Sequence, residues 1–199
     1  GSMNAITYKE VFPLLKDDKM WLGSGFHAGN AYFSSPTSRD YAAGVYDEET
    51  GLVKFRNVVW MTTIEHGRRH QPLSLMTQQE NLKFNKAMKD VGYQKYDNYD
   101  AIEVPRTDAI PSDYGGVMGV PISFLDKYNP DQFEIMGNMD DHADMKRLGA
   151  EPLSDEFIAG YRAVGGTGAQ RAGGYWVGLT NPNRFPFKRI FIRHRKGNR

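Results

Sequence analysis

Val58, Val59, Trp60 and Met61 are apolar on both faces of an extended strand. A strand that needs cover on both sides belongs in the middle of a sheet, with other layers packed above and below it. No other feature of the chain constrains its fold as tightly. The run lies inside "LVKFRNVVWMTTI" (52–64), which reads as one strand, and "DEETG" joins that strand to "YAAGVY" (41–46) as a hairpin turn.

The elements around this strand are short. "NAITYKEVFPLLKDDK" reads as a helix, with Thr7 and Glu10 as a capping box, Tyr8, Val11, Phe12 and Leu15 as its apolar stripe, and Pro13 expected to bend or split it. "KMWLG" (19–23) is a short strand, followed by a Gly-rich loop over 23–30. Thr77 and Glu80 form a second capping box, opening a helix to about Lys89. "YDAIEV" (99–104) is a strand, and the stretch from there to 132 reads as turns with one short helix near "ISFLDKY". "FEIMG" (133–137) is a strand, "DDHADMKRLGAEP" a polar loop, and Ser154 caps a helix to about Val164. "GGTGAQRAGG" is a glycine-rich loop, and "YWVGL" (175–179) and "RIFIRH" (189–194) close the chain as strands. Short helices among many short strands predict a mixed α/β fold.

The chain has 199 residues, 40% of them hydrophobic, which is enough for one domain, or one and a half, with a real core. No apolar run approaches the ~18 residues of a membrane span. Gly1-Ser2 before Met3 reads as an expression scar. The absence of cysteine excludes a disulfide framework and thiolate chemistry, and fits a cytoplasmic protein.

Overall charge is uninformative, with 25 basic against 24 acidic residues, but its distribution is not. Residues 184–199 hold seven basic side chains (Arg184, Lys188, Arg189, Arg193, Arg195, Lys196 and Arg199) and no acid, on an otherwise acidic body. Such an end suits phosphate contacts, against the plainer reading of a solvated tail. In a strand over "KRIFIRHRK", Ile190 and Ile192 point one way, and Arg189, Phe191, Arg193 and Arg195 the other. The expectation is one packed face and one row of guanidinium groups, whose forks fit phosphate oxygens and guanine edges.

Other motifs carry less. "EHGRRH" (65–70) places Arg68, Arg69 and His70 after an apolar strand, which suits phosphate contacts as well as a solvated basic turn; the zinc-protease pattern needs Glu directly after the first His, and Gly67 stands there. "NPDQF" (129–133) and "NPNRF" (181–185) look like the Asn-Pro-Pro-aromatic box that holds an exocyclic amine. Each lacks the second Pro and places Phe one residue too far along, so turn chemistry is the better reading. "VGGTG" (164–168) follows a helix rather than a strand, so it reads as a hinge, not as a nucleotide loop.

Taken in order, "NAITYKEVFPLLKDDKMWLG", "NVVWMTT", "RRHQPL", "KYDNYDAIEV", "DYGGVMGVPISFLDKYNPDQFEIMG" and "KRIFIRHRK" resemble the EcoRI-type adenine-specific DNA methyltransferase family over nearly all of residues 4–196. The resemblance implies methyl transfer from S-adenosylmethionine to N6 of adenine in double-stranded DNA, on a class I Rossmann-like fold. It also implies a catalytic Asn-Pro-Pro-Phe box and a cofactor-binding half that precede the point where this sequence starts.

The expectation is therefore a partial Rossmann-like methyltransferase sheet (4–63) after the scar and start Met (1–3), with a DNA-recognition region (64–199) packed on it. DNA contacts are expected from Arg68, Arg69, His70, Lys188, Arg189, Arg193, Arg195 and Lys196, and Asn4 is expected near the active-site mouth. No catalytic residue, metal site or S-adenosylmethionine site is expected in this chain alone. Apolar sheet edges at 19–23 and 57–63 are expected to meet a catalytic-half partner chain or a second copy. The alternative function is a non-catalytic interaction module that pairs through such an edge.

Overall fold

A computed structural model describes residues 2–23, 30–35, 41–42, 44–167 and 177–195. The Gly-rich loop at 24–29, most of "GGTGAQRAGG", and Lys196 lie outside them.

The N-terminal segment is two short helices rather than one. A 3-10 turn, Met3–Thr7, ends where Tyr8 becomes extended, and α1 (Phe12–Lys16) follows. Pro13 stands in the first turn of α1, where its missing N–H removes no helical bond. Thr7 caps nothing: its hydroxyl donates to the Asn4 carbonyl and accepts from Lys188 Nζ.

Strands β1 (Trp21–Leu22), β2 (Asn30–Phe33), β3 (Tyr46–Asp47), β4 (Leu52–Arg56) and β5 (Met61–Thr62) come next. The expected single strand over 52–64 is two. Asn57 adopts φ 54, a left-handed conformation that Asn tolerates better than most residues, and the chain turns there. β4 pairs antiparallel with β2 and β3, whereas β5 pairs with β1. Val59 is buried but Trp60 is 41% exposed, so the 58–61 run is not the central strand that its composition suggested.

α2 (Gln78–Phe84) precedes β6 (Ala101–Glu103), β7 (Val117–Pro121) and β8 (Phe133–Asn138). α3 (His142–Arg147), α4 (Asp155–Ala163), β9 (Leu179–Thr180), β10 (Asn183–Arg184) and β11 (Arg189–His194) complete the order. The main sheet runs β6-β7-β11-β8; β6 and β7 are parallel, and β11 is antiparallel to both of its neighbours. β7 was expected as turn. Its sequence, VMGVP, is interrupted by Gly119, yet a Cβ there would run into the Tyr96 hydroxyl. The glycine reflects close packing on a central strand, not a bend.

Both faces of this sheet are buried. Ile102, Met118, Val120, Ile190 and Ile192 join Met3, Ile6, Phe12, Leu15 and Phe124 in one core. Phe191 joins Tyr96, Tyr99, Val177, Leu179, Met139 and Met145 in a second. α3 also departs from expectation, since "DDHADMKRLGAEP" forms no simple loop. Asp141 caps the helix by accepting from Asp144 N–H at 2.9 Å, and Met145 is fully buried beneath it. One buried Met in a polar segment is too weak a period to announce a helix.

Candidate nucleic-acid interface

The β11 cations do not form an exposed row. Phe191 shares their face and is fully buried. Arg189 donates to Glu103 at 2.5 and 2.9 Å, and the Tyr96 hydroxyl donates to the same carboxylate. Lys188 pairs with Asp140 and Arg193 with its cross-strand neighbour Glu134 at 2.9 Å, while Arg195 Nε donates to the Pro130 carbonyl at 2.5 Å. The fault in the sequence reading is physical: strand alternation says which side chains share a face, not whether that face meets water.

The "RRH" residues are tied down as well. They form a 3-10 turn, Gly67–His70. Arg69 is 6% exposed, pairs with Glu65 at 2.6 Å and with Asp18, and lies 3.7 Å from the Trp21 ring centre. Arg68 pairs with Asp126 at 2.9 Å. His70 Nδ1 lies 2.6 Å from Asp131, and that hydrogen bond raises its pKa; partial desolvation opposes the rise, and the charges of Asp131 and Glu65 add to it.

"NPDQF" proves structural. The Asn129 side chain accepts from Asp131 N–H at 2.8 Å, Gln132 exchanges two hydrogen bonds with the Leu73 backbone, and Phe133 is fully buried.

A groove that sequence reasoning missed is the better candidate. The capping box at Thr77 fixes the start of α2: Thr77 Oγ1 accepts from Glu80 N–H at 3.2 Å, and Glu80 accepts from Thr77 N–H at 2.8 Å. Asn81 is fully buried and donates to the Met76 carbonyl, so this face of the helix is pinned. The helix ends at Phe84 because Asn85 turns extended. Phe84 is left 63% exposed, with Lys83 Nζ 5.0 Å from its ring centre.

The Phe84 ring lines a cleft of about 350 Å³ with Met76, Lys86, Ala87, Arg106 and Asp108. Arg106 and Asp108 also line a second cleft, of about 440 Å³, that reaches Met3, Ser123, Asp126 and Lys127. The two clefts meet at Arg106 and Asp108, which line both, and together are the candidate groove. Part of its wall, Pro105–Asp108 and Pro121, follows the carboxyl ends of the parallel strands β6 and β7, where ligands of open α/β sheets usually bind. Its two carboxylates are each engaged by an arginine: Asp108 by Arg106 through two 3.0 Å bonds, and Asp126 by Arg68. The Arg106 bonds hold the Asp108 pKa below its ordinary value.

Of the expected residues, Arg68 reaches the second cleft through its pair with Asp126, and the exposed Asn4 is the chain neighbour of Met3, which lines that cleft; neither is itself in the lining. The missed signal was "KFNKAMK", with lysines at 83, 86 and 89 around an aromatic residue that the helix does not need.

Among the described residues no group of three or more His, Asp or Glu could hold a metal. Gly165 and Gly166 of "VGGTG" follow α4 and not a strand, in line with the hinge reading of that segment. Among the described residues no helix is long and apolar enough to cross a membrane.

The family model described as adenine-specific methyltransferase EcoRI matches residues 1–194. The chain belongs to this family. Type II methyltransferase M.EcoRI of Escherichia coli is 41% identical over 139 residues, covering 68% of the chain and 40% of that protein. M.MgeORF184P of Mycoplasma genitalium is 33% identical and M.MpnI of Mycoplasma pneumoniae 30%, each covering 68% of the chain and 42% of the relative. The match thus spans about two fifths of the length of these relatives. No solved structure matches significantly.

Proposed function

We propose that this chain is the DNA-recognising part of an adenine-N6 DNA methyltransferase, without methyl transfer of its own. In this reading residues 4–63 end a Rossmann-like catalytic sheet, and residues 64–199 are the recognition region. The observation that carries the reading is the groove, where the exposed Phe84, with Lys83 Nζ 5.0 Å from its ring centre, lines one cleft with Lys86, Lys127 lines the adjoining one, and Arg106, paired with Asp108, lines both, in a member of a DNA methyltransferase family. Cations interleaved with an exposed aromatic ring are the usual footprint of a nucleic-acid surface. Arg68 flanks that groove, and Arg193 and Arg195 supply more distant positive charge at the end of β11.

S-adenosylmethionine is the methyl donor that the family implies, and we infer that this chain alone does not bind it. The test is duplex binding at two salt concentrations, with and without S-adenosylmethionine. Binding should weaken steeply with salt and ignore the cofactor. Binding that is indifferent to salt, or adenine methylation by the chain alone, would refute the reading.

A second reading has its own support. On the three-stranded sheet β2-β4-β3, register places Phe33, Phe55 and Tyr46 on one face, and all three are 39–46% exposed. Such a face suits a partner subunit or a second copy, and would make the chain an interaction module. Light scattering tests it: a strictly monomeric chain removes the second-copy form, and failure to pair with a catalytic-half chain removes the other.

A further inference from the structure

We propose that α2 is a sequence-reading helix: its outward face, Gln79, Leu82 and Lys83, enters the major groove of duplex DNA, with the Gln79 amide against an adenine edge. This rests on the DNA-recognising reading and names the residue that selects sequence within it.

Helical spacing puts residues 79, 82 and 83 on one face of α2 and Asn81 on the opposite side. Asn81 is fully buried, so the face turned away from it looks outward. Gln79, Leu82 and Lys83 are all exposed, Leu82 at 41%. Among the described residues α2 packs broadly against no other helix or strand. Loops hold it instead: Gln78 N–H donates to Asp113 at 2.8 Å, and Ser112 N–H donates to the Met76 carbonyl at 2.9 Å. With the capping box and Asn81, these bonds fix the helix and leave its outer face clear. A helix of ~10–12 Å diameter presented in this way fits a major groove ~12 Å wide.

Charge selects the occupant. Lys83, Lys86 and Lys89 are exposed, and none is ion-paired with a carboxylate of the described residues. They outnumber Asp90, the exposed acid that follows them. The other acids nearby are engaged: Glu80 accepts from the Thr77 N–H and hydroxyl at 2.8 and 2.9 Å, Asp113 from Gln78, and Asp108 from Arg106. A polyanion suits such a surface. An exposed Gln is ordinary by itself. Gln79 differs because it stands on the outer face of a fixed helix, beside an exposed Leu and among cations, and its amide has no hydrogen-bond partner among the described residues. A carboxamide donates and accepts at once, which matches the N7 acceptor and N6 donor of adenine. Leu82 suits the thymine methyl, and Lys83 adds charge toward the phosphates.

The experiment selects duplexes bound by the full chain from a randomised pool, then measures affinity for the selected duplex and its single-base-pair variants by fluorescence anisotropy. Wild type should enrich a defined sequence with one adenine whose replacement weakens binding about tenfold. Gln79→Ala should remove discrimination at that one position. Gln79→Glu should move the preference there toward cytosine, whose N4 amino group donates to a carboxylate. Gln79 is exposed, so neither replacement disturbs packing. Arg162→Ala, which removes an exposed cation on α4, should leave the selected sequence unchanged. A selected sequence that is the same for wild type, Gln79→Ala and Gln79→Glu overturns the inference. So does duplex binding that enriches no sequence, which leaves the DNA-recognising reading standing on phosphate contacts alone. Failure to bind any duplex removes both.

Discussion

Arg189 on β11 reaches Glu103 on β6 across the intervening strand β7, with 2.5 Å between Nη2 and Oε1. Gly119 on β7 stands opposite Glu103 and leaves room for the Tyr96 hydroxyl, which donates to the same carboxylate. One of the basic residues expected to contact DNA is thereby a rivet of the sheet. Both side chains are nearly buried, at 11% and 4% exposure. Removing one leaves an uncompensated charge, so Glu103→Ala should cost about 3–5 kcal/mol in denaturant unfolding. A loss below about 1 kcal/mol would mean that the pair is solvated.

Gly119→Ala tests the same junction from the other side. Its Cβ would press on the Tyr96 hydroxyl and on Phe191, both held in the second core. Overpacking should cost about 1–3 kcal/mol in chemical denaturation. A neutral result would show that Tyr96 can swing aside.

His70 links the 67–70 turn to the 129–132 turn through Asp131, and its pKa is raised by that bond. A raised folded pKa stabilises the fold fully below the unfolded value of about 6.5, and the contribution fades as pH rises through the folded value. The stability advantage of wild type over His70→Ala should therefore be full below about pH 6.5 and shrink as the pH rises above it. An NMR titration of the His70 ring should give a midpoint above the ordinary one. A midpoint at or below it would contradict the geometry.

Thr77→Ala removes the capping box that starts α2 and should cost about 1 kcal/mol. Because α2 carries Lys83 and Phe84 to the groove, DNA affinity should fall with it, although Thr77 is absent from the groove lining. Unchanged affinity alongside the stability loss would detach the helix from binding.

The parts of the fold that were legible were those with local signatures. The Thr77 and Ser154 caps, the 46–52 hairpin, and strands β8 and β11 each announce themselves within a few residues. What failed depended on distant partners. β7 was hidden because Gly119 is required by Tyr96, a residue 23 positions away in sequence. The Val58–Met61 run overstated its burial because Asn57 breaks the strand just before it. For the site, cation-rich segments were visible, but which cations meet carboxylates was not. Glu103, Asp126, Asp131, Glu134 and Asp140 are each brought by tertiary structure to a basic residue far away in sequence. Phe84 escaped notice because an apolar residue at a helix end looks like core until the helix is seen to stop there.

The most direct test of the groove as the DNA-contacting surface is the salt dependence of duplex affinity in two variants. One is Lys86→Ala/Arg106→Ala/Lys127→Ala; the other is Arg193→Ala/Arg195→Ala. Each lost phosphate contact should reduce the log–log slope by about 0.9, so the groove variant should lose about 2–3 units, and the β11 variant much less. A wild-type slope in the groove variant, with the loss appearing in the β11 variant, would move the DNA to the other end of the sheet and contradict the account.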